Sequence, residues 1–332
     1  MRRPPAARAL SLPVYVAAFV LAAMVLPWIG AEHLHFHDIL SFLRGERTVH
    51  GLIFFHQRVP RVLLALGVGG ALATTGATLQ VLFRNPLAEP WTLGVSGGAA
   101  IGAFAAQSLP GLLVAVGPLT STQAFALLGA ASVMALVFAF SRRAGAVSTQ
   151  TLLLAGVTIS VISGGLMMLV TYFVSPFRFV AIHRWMMGGL DVLGYRDLWS
   201  FMVLGVPGLL ILAGQAREYN HLALGEDMAL GHGVDVMRVQ RMTFVGAGLT
   251  TAACVAIAGP IAFVGMIIPH VVRRLSGFDS RFVLPAAFLL GGAVLAACDA
   301  VARTVIAPTE IPVGVITAVV GGPVFLFLLG RR

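Results

Sequence analysis

A chain of 332 residues that is 58% hydrophobic and 11% charged, with a mean hydropathy of +0.93, carries more apolar surface than a water-soluble fold can bury. A soluble enzyme is therefore excluded, and so is a membrane β-barrel, because the apolar runs are long and continuous rather than short and alternating. The net charge is +9 and all 22 basic residues are Arg, so the chain has no lysine for a Walker A loop or a Schiff base. At about 20 apolar residues per span, the composition supports eight to ten helices and leaves no separate soluble domain. Residues 1–332 are read as one all-α polytopic membrane domain.

Ten candidate helices follow in chain order, at roughly 12–29, 62–83, 94–106, 123–140, 152–173, 198–213, 242–258, 260–272, 283–303 and 313–329. The third and eighth are short and Gly-rich or Pro-interrupted, which membranes tolerate only where the backbone is buried in protein or lines a cavity. Ten spans put both termini on one side. That side would hold fourteen of the arginines and the opposite side eight, so both termini are expected in the cytoplasm. The same placement between apolar runs explains the basic charge by membrane orientation and not by nucleic acid. The first apolar run, preceded by Arg2, Arg3 and Arg8, is longer than a signal-peptide core and is read as a retained helix. Cys254 and Cys298 both lie in apolar segments and read as small packing residues.

Between the first two helices, His33, His35 and His37 alternate, with His50 and His56 further on. Alternating His suits a metal ion, but no Cys or carboxylate cluster completes a site, and none is assigned. The second helix starts at Arg58-Val-Pro-Arg61 and carries small residues (Gly67, Gly69, Gly70, Gly76) that let neighbouring backbones approach closely. Gln80 and Arg84-Asn-Pro-Leu-Ala-Glu-Pro90 follow, then Leu93-Gly-Val-Ser-Gly-Gly-Ala99, where a short helix begins with either plain packing or an anion-binding N-terminus. The fifth helix has small and soft residues, among them Ser160, Ser163, Gly164, Met167 and Met168. They fit a wall that passes a large ligand and fit ordinary packing nearly as well.

Residues 214–241 form the only long polar stretch on the cytoplasmic side. Gly225 and Gly231 bracket a short helix with Glu226 and Asp227 at its positive N-terminal end. The interleaved Leu222, Leu224, Met228, Leu230 and Val234 suggest short helices that present a surface to a partner. Further on come Gly259-Pro-Ile-Ala-Phe-Val-Gly-Met-Ile-Ile-Pro-His-Val-Val-Arg273, then Asp299-Ala-Val-Ala-Arg303, whose spacing allows an intrahelical ion pair, and Glu310-Ile-Pro-Val-Gly314.

These stretches, in order from about residue 58 to the end, resemble the signature of the FecCD-type permease family that imports iron chelates, haem and cobalamin in ABC importers. The resemblance implies a FecCD/BtuC-like permease fold. The chain would then be the membrane subunit of an importer driven by a separate ATPase. It would have no catalytic residues, metal or cofactor of its own, ATP and Mg being held by the ATPase. Implied partners are a second copy of the chain, two ATP-binding subunits and a periplasmic or lipid-anchored substrate-binding protein. Gly225, Glu226, Asp227, Met228, Ala229, Leu230, Gly231 and Gly233 would belong to the coupling loop that docks on the ATPase. Arg58, Arg61 and Arg303, next to helix ends from which a side chain reaches water, would meet acidic residues of the binding protein. The fifth helix would line the path, with Ser148, Thr149 and Gln150 near its cytoplasmic gate. Siderophore, haem and cobalamin stay open as cargo.

An ion-coupled secondary transporter is the competing class. It needs ionisable residues at mid-membrane, and Asp299 is the main candidate. A membrane enzyme would need converging catalytic groups, which the sequence lacks.

Overall fold

A computed structural model describes residues 11–91, 94–108, 115–116, 119–143, 146–147, 149–172, 180 and 183–330. Its centre is α4 (Val59–Leu82), buried along nearly its whole length. Pro60 sits in its first turn, where a missing N–H costs nothing. Ahead of it, α3 (Val49–Ile53) runs through one π turn, Phe54–Arg58, so the helical path starts at Val49, well before the residue 62 that the apolar run indicated. Before these lie α1 (Leu12–Val25) and the short amphipathic α2 (Phe36–Leu43).

After α4 come α5 (Val95–Ser108), α6 (Ser121–Ser141) and α7 (Thr149–Tyr172). Two-residue hairpins flank α6, pairing Ala115–Val116 with Leu119–Thr120 and Arg142–Arg143 with Ala146–Val147. The second half holds α8 (Arg196–Gly214), the short α9 (Ala216–Leu222) and α10 (Glu226–Gly231), then α11 (Val236–Ala258), α12 (Val264–Ser276), α13 (Ser280–Thr304) and α14 (Val313–Gly330). Each of the ten expected spans coincides with one of these helices.

Four helical stretches, Val49–Leu82, Arg196–Gly214, Val236–Ala258 and Ser280–Thr304, are each long and apolar enough to cross a membrane. Leu12–Trp28, Ser121–Val137, Leu154–Leu169 and Val313–Phe327 are shorter apolar helices. The short α5 and α12 survive inside the bundle because neighbours enclose them, and α12 carries Pro269 within its length.

Packing explains the small residues of α4. It lies against α13, α12, α11 and α8. A β-carbon on Gly76 would strike the Gly265 carbonyl of α12, and one on Gly69 would strike the Gly291 carbonyl of α13. The glycine run that opens α5 serves the same purpose. Gly98 and Gly102 abut the backbone of α6, and Gly97 abuts Ser163 of α7, which decides between packing and an anion site in favour of packing.

Candidate functional site

At the end of the bundle where α4 begins, three guanidinium groups converge. Arg58 closes the π turn, Arg61 sits in the first turn of α4, and Arg303 sits in the last turn of α13. Arg61 donates to both carboxylate oxygens of Asp299 at 3.0–3.1 Å and to Glu310 Oε2 at 2.7 Å. Arg303 pairs with Asp299 at 3.0 Å, the intrahelical pair that the four-residue spacing allows, and donates to the Ile29 carbonyl at 3.1 Å. Arg58 donates to the carbonyls of Trp28 and Glu32. A β-carbon on Gly30 would lie 2.7 Å from Arg58 Cζ, so the guanidinium would have to shift to admit a larger residue there.

The exposure expected of these arginines does not hold. They are only 4–5% exposed and Asp299 is fully buried, because partners far away in sequence fold over them. Arg61 and Arg303 are internal ion-pair residues and Arg58 is held by backbone carbonyls, all three facing a cavity of about 190 Å³, lined also by Glu32, Gln57 and Glu310. Arg303 Nη2 is buried with no hydrogen-bond partner among the described residues. Glu310 as a ligand of Arg61, and Asp191 bridging towards Arg184 at 3.2 Å, were not singled out from sequence. Glu310 lies 249 positions from Arg61, a separation that hides that pairing.

At the opposite end, α9 and α10 form a small platform. The Tyr219 ring is buried and its hydroxyl lies 2.9 Å from Thr243 Oγ1, which fixes α9 against α11. Asn220 joins α9 to the start of α13, donating to Asp279 and accepting from the Ser280 N–H, each at 2.7 Å. Arg281 and Asn220 together hold Asp279 well below the usual carboxylate range. Gly225 (φ +123°) and Gly233 (φ +78°) take conformations that favour glycine and bound the turn of α10. Within it Ala229 is buried, Glu226 accepts from Gln240 at 3.3 Å, and Asp227 is exposed. Gly231 is the last residue of α10, with open space at its Cα. Leu224, Met228 and Leu230 point outward at 63%, 52% and 59% exposure, an apolar tip on a polar loop.

The fifth-span residues split. Ser160 Oγ donates to the Gly156 carbonyl at 2.9 Å and to the Trp91 carbonyl at 3.2 Å. Ser163 and Met167 are buried within this chain, against the expectation of a ligand-facing wall, and at Ser163 it is Gly97 of α5 that packs over the side chain. Gly164 and Met168 lie on the open face with Leu154, Val161 and Leu169. Ser148 lies outside the described residues, and Thr149 and Gln150 begin α7.

Two further polar features were missed from sequence. Arg273 of α12 bonds Gln80 of α4 and donates to the Ala77 carbonyl at 2.9 Å, while Gln80 donates to the Met266 carbonyl at 3.0 Å. Glu89, in the connection between α4 and α5, is buried, and burial pushes its carboxyl up to about 7 even though the Phe263 backbone N–H donates to it. Phe263 itself is left-handed at φ +70°. Polar residues inside otherwise apolar stretches were the available signal for both. Of the histidines, His50 Nδ1 lies 2.7 Å from Asp38 and the His35 ring packs on His50. Among the described residues no three metal-ligating side chains group together.

Comparison with known proteins agrees with this architecture. The FecCD transport family is matched over residues 16–331. The cobalamin import system permease protein BtuC of Halobacterium salinarum is 42% identical over 329 residues, covering 97% of this chain and 84% of that protein. The vitamin B12 import system permease protein BtuC of Klebsiella pneumoniae is 39% identical, covering 88% and 89%. A solved structure, an inward-facing conformation of a transporter of the metal-chelate ABC type, superposes with TM-score 0.84 at 30% identity, over 97% of this chain and 99% of that one.

Proposed function

The chain belongs to the FecCD transport family and is the permease subunit of an ABC importer of the iron-chelate and cobalamin class, and we propose that its cargo is a cobalamin-type corrinoid. Such a permease works with an ATPase and a substrate-binding protein. The cargo reading rests on the names of the two relatives, one archaeal and one bacterial, that match nearly the whole chain.

The observation that carries the division of labour is the contrast between the two ends. One presents a guanidinium-lined cavity of about 190 Å³ and the other an apolar tip on α10. In our reading Leu224, Met228 and Leu230 enter a groove on the ATPase, and residues 225–233 pass its closure to α11 through the Gln240–Glu226 bond. Arg58, Arg61 and Arg303 receive carboxylates of the binding protein through the cavity mouth, and the unpartnered Arg303 Nη2 supports this. ATP and Mg stay on the ATPase. The complex contains two copies of the chain and two ATPases, with the open faces of α7 and α14 meeting at the axis and Gly164 and Met168 beside the path. Both termini lie in the cytoplasm and the chain is a single domain in the inner membrane.

The secondary-transporter reading loses its main residue. Asp299 is held by two arginines and is not available to carry an ion.

The test is reconstitution in proteoliposomes with the cognate ATPase and binding protein. Uptake of cyanocobalamin that requires ATP and all three components supports the proposal. Uptake of a ferric siderophore or haem with cobalamin excluded would overturn the cargo and keep the family. ATP-independent, ion-gradient-driven uptake would overturn the division of labour.

A further inference from the structure

Along the outer surface between α6 and α11 runs a groove of about 420 Å³ that neither docking end uses. Leu127, Ala131, Met134 and Ala135 line one wall, at the i, i+4, i+7, i+8 spacing that aligns one face of a helix. On the other wall Val245, Gly248 and Leu249 follow the same spacing from Arg241. Gly248 opens the floor, its nearest neighbour being the Met134 terminal methyl, 3.4 Å from where a β-carbon would lie. From Arg241 to Leu249 the groove follows two turns of helix, roughly 12 Å at 1.5 Å per residue.

Its lining is apolar except at one end, where Arg241 sits in the second turn of α11, next to the polar 214–241 loop. Arg241 is exposed and its guanidinium makes no hydrogen bond or ion pair among the described residues. Arg238, three residues earlier on the same face, is exposed too and makes no ion pair among those residues. Exposed apolar side chains, Leu128, Leu136 and Val245, border the groove, so it opens on the surface that meets hydrocarbon. Hydrocarbon alone fills an apolar groove without preference. Cations at its headgroup end add a preference for negative charge, as basic pockets between transmembrane helices do.

We propose that the α6–α11 groove is a binding site for one anionic phospholipid of the leaflet on the coupling-loop side, an acyl chain lying against Met134, Gly248 and Leu249 and the phosphate on Arg241. The assignment needs only a chain embedded in a bilayer and does not depend on the cargo. It has a consequence for coupling. Gln240, the residue before Arg241, bonds Glu226 of α10, so the lipid headgroup sits one residue from the link between the coupling helix and α11.

Native mass spectrometry of the full chain, released from nanodiscs of phosphatidylethanolamine with phosphatidylglycerol, tests this. The wild type should retain phosphatidylglycerol in clear excess over its share of the bilayer. Arg241→Gln should cut that preference at least fivefold while some phosphatidylethanolamine stays bound, and Gly248→Leu should remove both lipids by filling the groove. Ala135→Trp, at an exposed position, does the same if the Gly248 variant fails to fold. Glycerol phosphate, which has the charge but no acyl chain, should not displace the lipid. Unchanged lipid selectivity in Arg241→Gln, unchanged lipid number in both groove-filling variants, displacement by glycerol phosphate, or a disulfide between two copies through Ala131→Cys would each overturn the assignment.

Discussion

Arg61 and Asp299 stand 238 positions apart and meet in a two-pronged ion pair, every N–O distance between 3.0 and 3.1 Å. The pair bolts the start of α4 to the end of α13, and Arg303 closes the same carboxylate from the next turn. One buried anion therefore serves two buried cations.

Removing that anion leaves the buried Arg303 with no carboxylate partner and Arg61 with Glu310 alone. Asp299→Ala is expected to cost about 3–5 kcal/mol, the range for breaking one partner of a buried pair. Glu310→Gln, at a partly exposed partner of Arg61, should cost under about 1 kcal/mol. Thermal unfolding in detergent reads both, and equal midpoints for the two variants would contradict the buried-anchor role of Asp299.

Glu310 also occupies a guanidinium nitrogen that a docking carboxylate would use. Glu310→Gln should therefore tighten capture of the binding protein, and Arg58→Gln should weaken it. Both effects should shrink as salt rises, since screening acts over about 8 Å at physiological ionic strength. Affinity measured across a salt series checks this. Reversing Arg61 to Glu is a poor test, because the new carboxylate would face Asp299 inside the protein.

The α10 tip offers a cleaner separation of folding from partner binding. Met228→Asp with Leu230→Asp changes only exposed side chains. Capture of the ATPase should fall on the order of tenfold or more, as for anchor residues at an interface, while the unfolding midpoint stays put. Wild-type capture would show that the ATPase docks elsewhere.

Glu89 predicts a pH dependence. Its carboxyl is raised to about 7 by burial, while in the unfolded chain it titrates near 4.5. Between these values the unfolded chain has lost a proton that the folded chain keeps, so stability falls as pH rises through that window. The span corresponds to roughly 3 kcal/mol. Glu89→Gln should unfold like the wild type at pH 4 and at a higher temperature than it at pH 8. A constant difference between the two across that range would exclude the titration.

Gly76→Ala should be disproportionately severe for one methyl group. The new carbon would meet backbone, the Gly265 carbonyl, which has no rotamer to yield. About 1–3 kcal/mol or more is expected from overpacking of this kind, against a near-neutral Gly231→Ala, where the space is open. Melting curves of the two variants decide.

What the sequence alone determined were the elements and their punctuation. Span positions follow from the length of apolar runs, and the ends of α10 from Gly225 and Gly231. The close contacts of α4 follow from its glycines. These are local signals, carried by neighbouring residues, and the family signature of residues 58 to the end reads the same way. Only the tertiary structure decided what the charged residues face. Arg61 finds Asp299 and Glu310 across 238 and 249 positions, and Arg303 reaches back 274 to Ile29. Spacing along a chain carries no record of such distances, so arginines that read as rim charges prove internal. The same limit applied to α7, where a run of small and soft residues divided into Ser163 and Met167 buried against a neighbour and Gly164 and Met168 left open. Which side of a helix is covered depends on helices far away in sequence, and that is settled only when all of them pack together.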